Sequence, residues 1–76
     1  MSKVEKKTAM RKLGIWLKEK RESAGMSRGT LAAKVKTTYE TIRLYEEGKR
    51  SMRIERFMEL LSALGLEVDD LCNREV

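Results

Sequence analysis

Apolar residues recur every three or four positions along most of this chain, which is the spacing that gathers them on one face of an α-helix. In the first such segment they are Met10, Leu13, Trp16 and Leu17. Thr8 precedes them as a residue type that caps helix N-termini, and Gly25 follows as one that ends helices. The pattern therefore predicts a first helix that begins at Thr8, is interrupted only mildly by Gly14, and stops at Gly25.

Two short helices are predicted next. Ser27 is a candidate N-cap for the second helix, and the pair Thr37 and Thr38 is placed to cap a third. The third helix is expected to run from Tyr39 to Glu46 or Glu47, because Gly48 then ends it. In the second helix Leu31 and Val35 are the larger apolar residues, and Ala32 and Ala33 are expected to place small side chains on the inner face. The buried stripe of the third helix is Ile42 and Tyr45.

A fourth helix is predicted after a basic connection at residues 49–53, and Gly65 ends it. Its apolar positions are Ile54, Phe57, Met58, Leu61 and Leu64. Leu66, Val68 and Leu71 continue the pattern into a last half-turn or a short fifth helix, although the alternation of Leu66 and Val68 also fits a short strand. The predicted core is Leu31, Val35, Ile42, Phe57, Leu61 and Leu64, with Trp16 and Tyr45 in the core or half-buried.

The composition is that of one small helical domain. With 76 residues, of which 41% are hydrophobic and 38% charged, the chain can fill one hydrophobic core but not two. It contains no proline, so glycine supplies most of the helix boundaries. We expect a basic flexible N-terminal arm at residues 1–7, a folded domain at residues 8–72 and a short C-terminal tail at residues 73–76.

Charge and hydropathy restrict the partners. Seventeen Lys and Arg residues against twelve Asp and Glu residues give a formal net charge of +5, which favours polyanions such as nucleic acid or anionic membrane. No apolar run approaches the roughly 20 residues that cross a bilayer, and the N-terminus lacks the apolar block of a secretory signal. We therefore expect a cytoplasmic protein that does not bind membranes.

Reactive residue types are too few for most catalytic or metal sites. The chain has one cysteine and no histidine, which excludes an internal disulfide, a zinc site and histidine-based catalysis. Cys72 is expected to be a small apolar packing residue, because no activating base is identifiable beside it. We expect no metal, no other cofactor and no enzymatic activity.

The central segment has the pattern of two helices joined by a tight turn. Ala32 supplies the small residue that lets the helices touch, and the apolar residues at 31, 35 and 42 close the corner. Pinning one helix across its partner leaves the opposite face of the second helix free, and the major groove of duplex DNA admits one α-helix. The segment from Thr38 to Glu46 is therefore predicted to lie in the major groove.

From Leu13 to Leu71, about three quarters of its length, the chain resembles the lambda-repressor-like helix-turn-helix family, also called the Cro/cI or XRE family. The matches are Leu17 with Arg21, Gly25-Met26-Ser27, Leu31-Ala32, Val35, Thr38, Thr41 and Ile42, Glu46 with Gly48-Lys49-Arg50, Leu64-Gly65-Leu66 and Asp70-Leu71. Lys36 departs from the family by standing where its turn usually has glycine, which predicts a costly left-handed backbone or a slightly different turn. Met52 stands where the family often has proline.

The resemblance implies an all-α, compact domain of four or five helices with the helix-turn-helix at its second and third helices. In the family, bases are read from the early exposed positions of the third helix, here Thr38, Tyr39, Glu40, Arg43 and Leu44. Arg43 suits guanine O6 and N7, and Glu40 suits the amino group of cytosine. Tyr39 and Leu44 suit the methyl group of thymine.

Further contacts are expected around the third helix. The family pairs Arg21 with Glu46, which ties the first helix to the third. The predicted contacts with the DNA backbone are Arg28 and Thr37 together with the loop residues Lys49, Arg50 and Arg53. Arg28 stands where the family usually has glutamine. The lysines at 3, 6, 7 and 12 fit phosphate contact and an ordinary solvated surface equally well. The predicted dimer interface is Leu66, Val68 and Leu71.

The leading hypothesis is a sequence-specific regulator of transcription that binds double-stranded DNA, acting as a repressor and as a homodimer on a palindromic operator. The alternative within the same fold is the antitoxin of a toxin–antitoxin pair, which binds a toxin protein and represses its own operon. A basic amphipathic module on an anionic membrane or a partner protein ranks below both, because the apolar faces have the width needed to pack on each other. An enzyme ranks lowest.

Overall fold

The computed structural model describes residues 3–66, with side chains from residue 5 onward, and these residues form four α-helices and no strand. The helices are α1 (Lys3–Ser23), α2 (Arg28–Lys34), α3 (Tyr39–Glu46) and α4 (Ile54–Ala63). The all-α fold class is thereby confirmed. The possible fifth helix or strand, Cys72 and the tail at 73–76 lie outside the described residues, and the division into arm, domain and tail stays a prediction.

The first helix begins earlier than the sequence pattern indicates. It starts at Lys3 rather than Thr8, so the start predicted from the capping residue is wrong and most of the expected arm is helical. Residues 3–7 contain neither glycine nor proline, and lysine and glutamate are good helix formers. Glu5 also lies in the first turn, where a negative charge is favoured by the helix dipole.

The caps of α2 and α3 form as predicted. The hydroxyl of Ser27 accepts a hydrogen bond from the backbone N–H of Thr30 at 3.1 Å, and the hydroxyl of Thr38 accepts one from Thr41 at 3.2 Å. Lys36, between the two helices, has a φ of 56°. The turn therefore adopts the left-handed backbone, the first of the two expected alternatives. For a non-glycine residue this conformation costs about 1–2 kcal/mol.

One core joins all four helices. Its buried apolar members are Leu17, Leu31, Ala32, Val35, Ile42, Tyr45 and Leu60, with Leu61 also buried. Phe57 and Leu64, predicted to be core, are only half-buried, and Ala33, predicted to face inward, is exposed. Phe57 instead packs beside Trp16, with the ring centroids 5.8 Å apart.

The buried face of α4 differs from the predicted one. Leu60 is 1% exposed, whereas Ile54 and Met58 are 63% and 51% exposed. The apolar residues of α4 spread over one wide arc of the helix, so spacing alone does not decide which of them turns inward. Burial of Leu60 rotates Ile54 and Met58 toward the outside of the described fold.

Gly14 lies where α1 crosses the end of α3. A Cβ atom at this position would lie 2.5 Å from the carbonyl oxygen of Glu46 and would also collide with the carbonyl oxygen of Tyr45. Only glycine permits this separation of the two backbones. The expectation that Gly14 is a mild interruption of the helix therefore misses its role as the contact point between α1 and α3.

Candidate nucleic-acid interface

The α2–turn–α3 unit presents one side of α3 to solvent. Ile42 and Tyr45 are buried on the inner side, and the backbone N–H of Thr37 donates to the carbonyl oxygen of Ala32 at 2.9 Å across the turn. Of the residues predicted to read bases, Thr38, Tyr39 and Glu40 are exposed, and Arg43 and Leu44 are half-buried. The start of α3 is therefore accessible while its inner side is held in the core.

A buried ion pair fixes α3 against α1. Arg21 donates from Nε to Oε2 of Glu46 at 2.6 Å and from Nη2 to Oε1 at 3.2 Å. These two hydrogen bonds make the bidentate contact that the resemblance implies for this pair. Arg21 and Glu46 are only 7% and 6% exposed. Arg21 also donates to the carbonyl oxygen of Met26 at 2.8 Å, which ties the turn before α2 to the same charged pair.

Arg28 connects the start of α2 to both ends of α3. Its Nε donates to Oε1 of Glu46 at 2.9 Å and its Nη1 donates to the hydroxyl of Tyr39 at 3.2 Å. The guanidinium carbon also lies 5.8 Å from the centroid of the Tyr39 ring. These hydrogen bonds, first to Tyr39 and then to Glu46, raise the pKa of Arg28 above its ordinary value. The side chain is thus held in place beside the exposed start of α3.

Arg43 lies between two carboxylates on the solvent side of α3. It donates from Nη1 to Oε2 of Glu47 at 2.9 Å, and it also pairs with Glu40 one turn earlier. Lys49 contacts Glu47 from the following loop, with 3.1 Å between Nζ and Oε1. The hydrogen bond from Arg43 lowers the pKa of Glu40, and those from Lys49 and then Arg43 lower the pKa of Glu47. This network was not predicted, although Glu40, Arg43 and Glu47 have the spacing of ion pairs along one helix face.

The loop after α3 carries exposed cations. Lys49, Arg50 and Arg53 are all exposed, and Nη1 of Arg50 reaches the hydroxyl of Thr41 at 3.4 Å. Thr37 and Arg28, the other predicted backbone contacts, are half-buried. Of the predicted dimer interface, Leu66 is half-buried, while Val68 and Leu71 lie outside the described residues.

Arg56 has a structural role that was not predicted from the sequence. Its Nη1 donates to the carbonyl oxygen of Val35 at 2.6 Å, which satisfies an acceptor at the C-terminal end of α2. The contact joins α4 to the turn between α2 and α3. An arginine on a helix surface gives no signal of such a contact in sequence, because the contact depends on how the helices are arranged.

The described residues offer no grouping of acidic side chains and cysteine that could hold a metal ion. Within the same part of the chain, no helix combines the length and the apolar character needed to cross a membrane.

A family model described as helix-turn-helix matches residues 17–71, which is more than two thirds of the chain and includes α2, the turn, α3 and α4. No curated protein is significantly similar to the chain in sequence.

Proposed function

Since the chain belongs to the lambda-repressor-like, XRE-type helix-turn-helix family of DNA-binding transcription regulators, we propose that it is a repressor that binds a palindromic operator as a homodimer. The observation that carries the proposal is the exposed start of α3, held in place by the buried contact of Glu46 with Arg21 and Arg28. A rigidly held helix can present side chains to base edges in a fixed register.

We propose that bases are read by the solvent-facing side chains of α3, namely Thr38, Tyr39, Glu40, Arg43 and Leu44. Arg43 has the geometry for bidentate contact with guanine. In the free protein its donors are taken by Glu40 and Glu47, so it must exchange those partners for the base. All three side chains are solvent-accessible, and exposed ion pairs stabilise proteins little, which makes the exchange inexpensive.

The DNA backbone contacts in this proposal come from both sides of α3. Arg28 and Thr37 precede the helix, and Lys49, Arg50 and Arg53 follow it. Arg28 uses Nε on Glu46 and Nη1 on Tyr39, and its remaining guanidinium donors are the ones proposed to meet a phosphate. Phosphate contacts of this kind fix the orientation of the protein on DNA without carrying sequence information.

We propose that the dimer forms through Leu66, Val68 and Leu71, which would place the two half-sites about one helical turn of DNA apart. A cytoplasmic location and the absence of enzymatic activity belong to the same proposal and are supported by membership of a regulator family.

An antitoxin role is the second candidate. The observation that favours it is the exposure of Ile54 and Met58, one turn apart on α4, because exposed apolar side chains can be covered by a partner protein. A stable complex with a protein that is co-expressed from the neighbouring gene, and that arrests growth when expressed alone, would support this candidate over a stand-alone repressor.

Selection of duplexes from a random library tests the proposed function. We expect enrichment of a palindromic motif, with preference relaxed at one position of each half-site in Arg43→Ala, because a bidentate arginine discriminates its base by about 1–3 kcal/mol. Lys49→Ala is the comparison variant, and it should weaken binding to all sequences about equally. Equal weak binding of every duplex by the wild type, or none, would contradict the proposal.

A further inference from the structure

A groove runs between the first turns of α1 and the loop after α3. Its volume is about 540 Å³, and it lies beyond the C-terminal end of α3 rather than at the exposed start of that helix. The charged and polar side chains that line it are Lys6, Lys7, Arg11, Glu47, Lys49 and Ser51.

Close packing of α1 on the loop holds the two sides of this α1 groove together. Gly48 has a φ of 71°, and a Cβ atom there would lie 2.9 Å from the Cα atom of Arg11. The hydroxyl of Ser51 also donates to Sδ of Met10 at 3.7 Å. These contacts fix α1 against the loop at Met10 and Arg11, and the helix before them carries Lys6 and Lys7 along the groove.

The charge of the α1 groove is unbalanced. None of Lys6, Lys7 and Arg11 forms an ion pair within residues 5–66. Glu47 is the acidic residue of the lining, and its carboxylate is already held by Arg43 at 2.9 Å and by Lys49 at 3.1 Å. Three exposed cations therefore share the groove without a compensating carboxylate, which favours a bound polyanion.

The α1 groove is continuous with the proposed DNA-binding surface. Arg43 on α3 contacts Glu47, Glu47 contacts Lys49, and Lys49 lines the groove. Resting on the proposed function, we infer that the α1 groove binds backbone phosphates of the same duplex that α3 reads. It would form a second phosphate-binding site beside the loop cations. The cations that α1 contributes to it, Lys6, Lys7 and Arg11, lie outside the helix-turn-helix match to residues 17–71.

The test compares two double variants that lose the same charge. The groove variant carries Lys7→Gln and Arg11→Gln. The control variant carries Lys20→Gln and Lys34→Gln, which removes one cation from the last turn of α1 and one from the last turn of α2. The dissociation constant for a duplex of random sequence is measured at several salt concentrations, after the thermal midpoint shows that each variant is folded.

We expect the slope of log K against log salt to become shallower by about 2 in the groove variant, since each phosphate no longer neutralised contributes about 0.9. The slope of the control variant should stay close to that of the wild type. In the selection experiment the groove variant should keep the wild-type motif, because phosphate contacts carry no sequence information. If the groove variant fails to fold, Lys7→Gln measured against Lys20→Gln should show a smaller change in the same direction.

Equal slopes for the groove and control variants, with DNA binding by the wild type intact, would overturn the α1 groove inference and leave the proposed function standing. Absence of binding to any duplex by the wild type would overturn the proposed function and the inference together. Loss of sequence preference in the groove variant would also overturn the inference, because the groove would then contribute to base reading.

Discussion

Replacement of Gly14 by alanine is expected to lower the free energy of unfolding by about 2–3 kcal/mol, even though alanine is the better helix former. The added Cβ would lie 2.5 Å from the carbonyl oxygen of Glu46, so α1 and α3 must move apart. This oxygen and the carbonyl oxygen of Tyr45, which lies equally close, are backbone atoms that cannot rotate away as a side chain would. In a chain of this size the loss should lower the thermal midpoint by roughly 10–20 °C.

Gly29→Ala is the matched control for this experiment. Gly29 is an exposed residue of α2, and a Cβ atom there would meet only the hydroxyl of Ser27 at 3.9 Å. Alanine should therefore stabilise the protein, by up to about 1 kcal/mol. Unfolding in urea followed by circular dichroism measures both variants. Similar stabilities of the two variants would show that α1 and α3 do not pack as closely at Gly14 as described.

Glu46→Gln is expected to destabilise the protein by about 3 kcal/mol, because it leaves Arg21 as a buried cation without its counter-charge. Arg21 is only 7% exposed and its Nε lies 2.6 Å from Oε2 of the carboxylate. Arg28 loses the same partner, at 2.9 Å. The variant should therefore also bind DNA more weakly under conditions in which it is still folded, since Arg28 is no longer oriented by the carboxylate.

Glu47→Gln is the matched control, one residue further along the chain. Its carboxylate pairs with Arg43 and Lys49 at the surface, where ion pairs contribute little to stability. Its midpoint of urea unfolding should lie close to that of the wild type. If Glu46→Gln unfolds at the same urea concentration as Glu47→Gln, the buried pair does not hold α3 in place, and the argument for a rigid recognition helix fails.

The features predictable from the sequence are those fixed by chemistry close in the chain. Ser27 and Thr38 cap their helices because a short hydroxyl side chain reaches an N–H three residues later. The contact of Arg21 with Glu46 spans 25 positions, and local rules do not give it. It was inferred from the family resemblance, and the structure places the two side chains together.

The features that could not be predicted depend on the relative placement of helices. Gly14 looks like a weak helix former until α3 is known to cross it. The face that α4 buries was likewise settled by packing of Leu60 rather than by apolar spacing. The pairing of Arg43 with Glu40 and Glu47 is different, because its i,i+3 and i,i+4 spacing is local and could have been predicted from the sequence.

Contact between the exposed start of α3 and duplex DNA is the claim on which base reading depends. It is measured by titrating ¹⁵N-labelled protein with the duplex obtained by selection and following the backbone amide chemical shifts. We predict that the largest shifts fall on residues 38–44, with smaller ones at Lys49 and Arg50, and little change at Ile54 and Met58. Largest shifts on α4, with α3 unaffected, would contradict the claim and show that another surface binds the DNA.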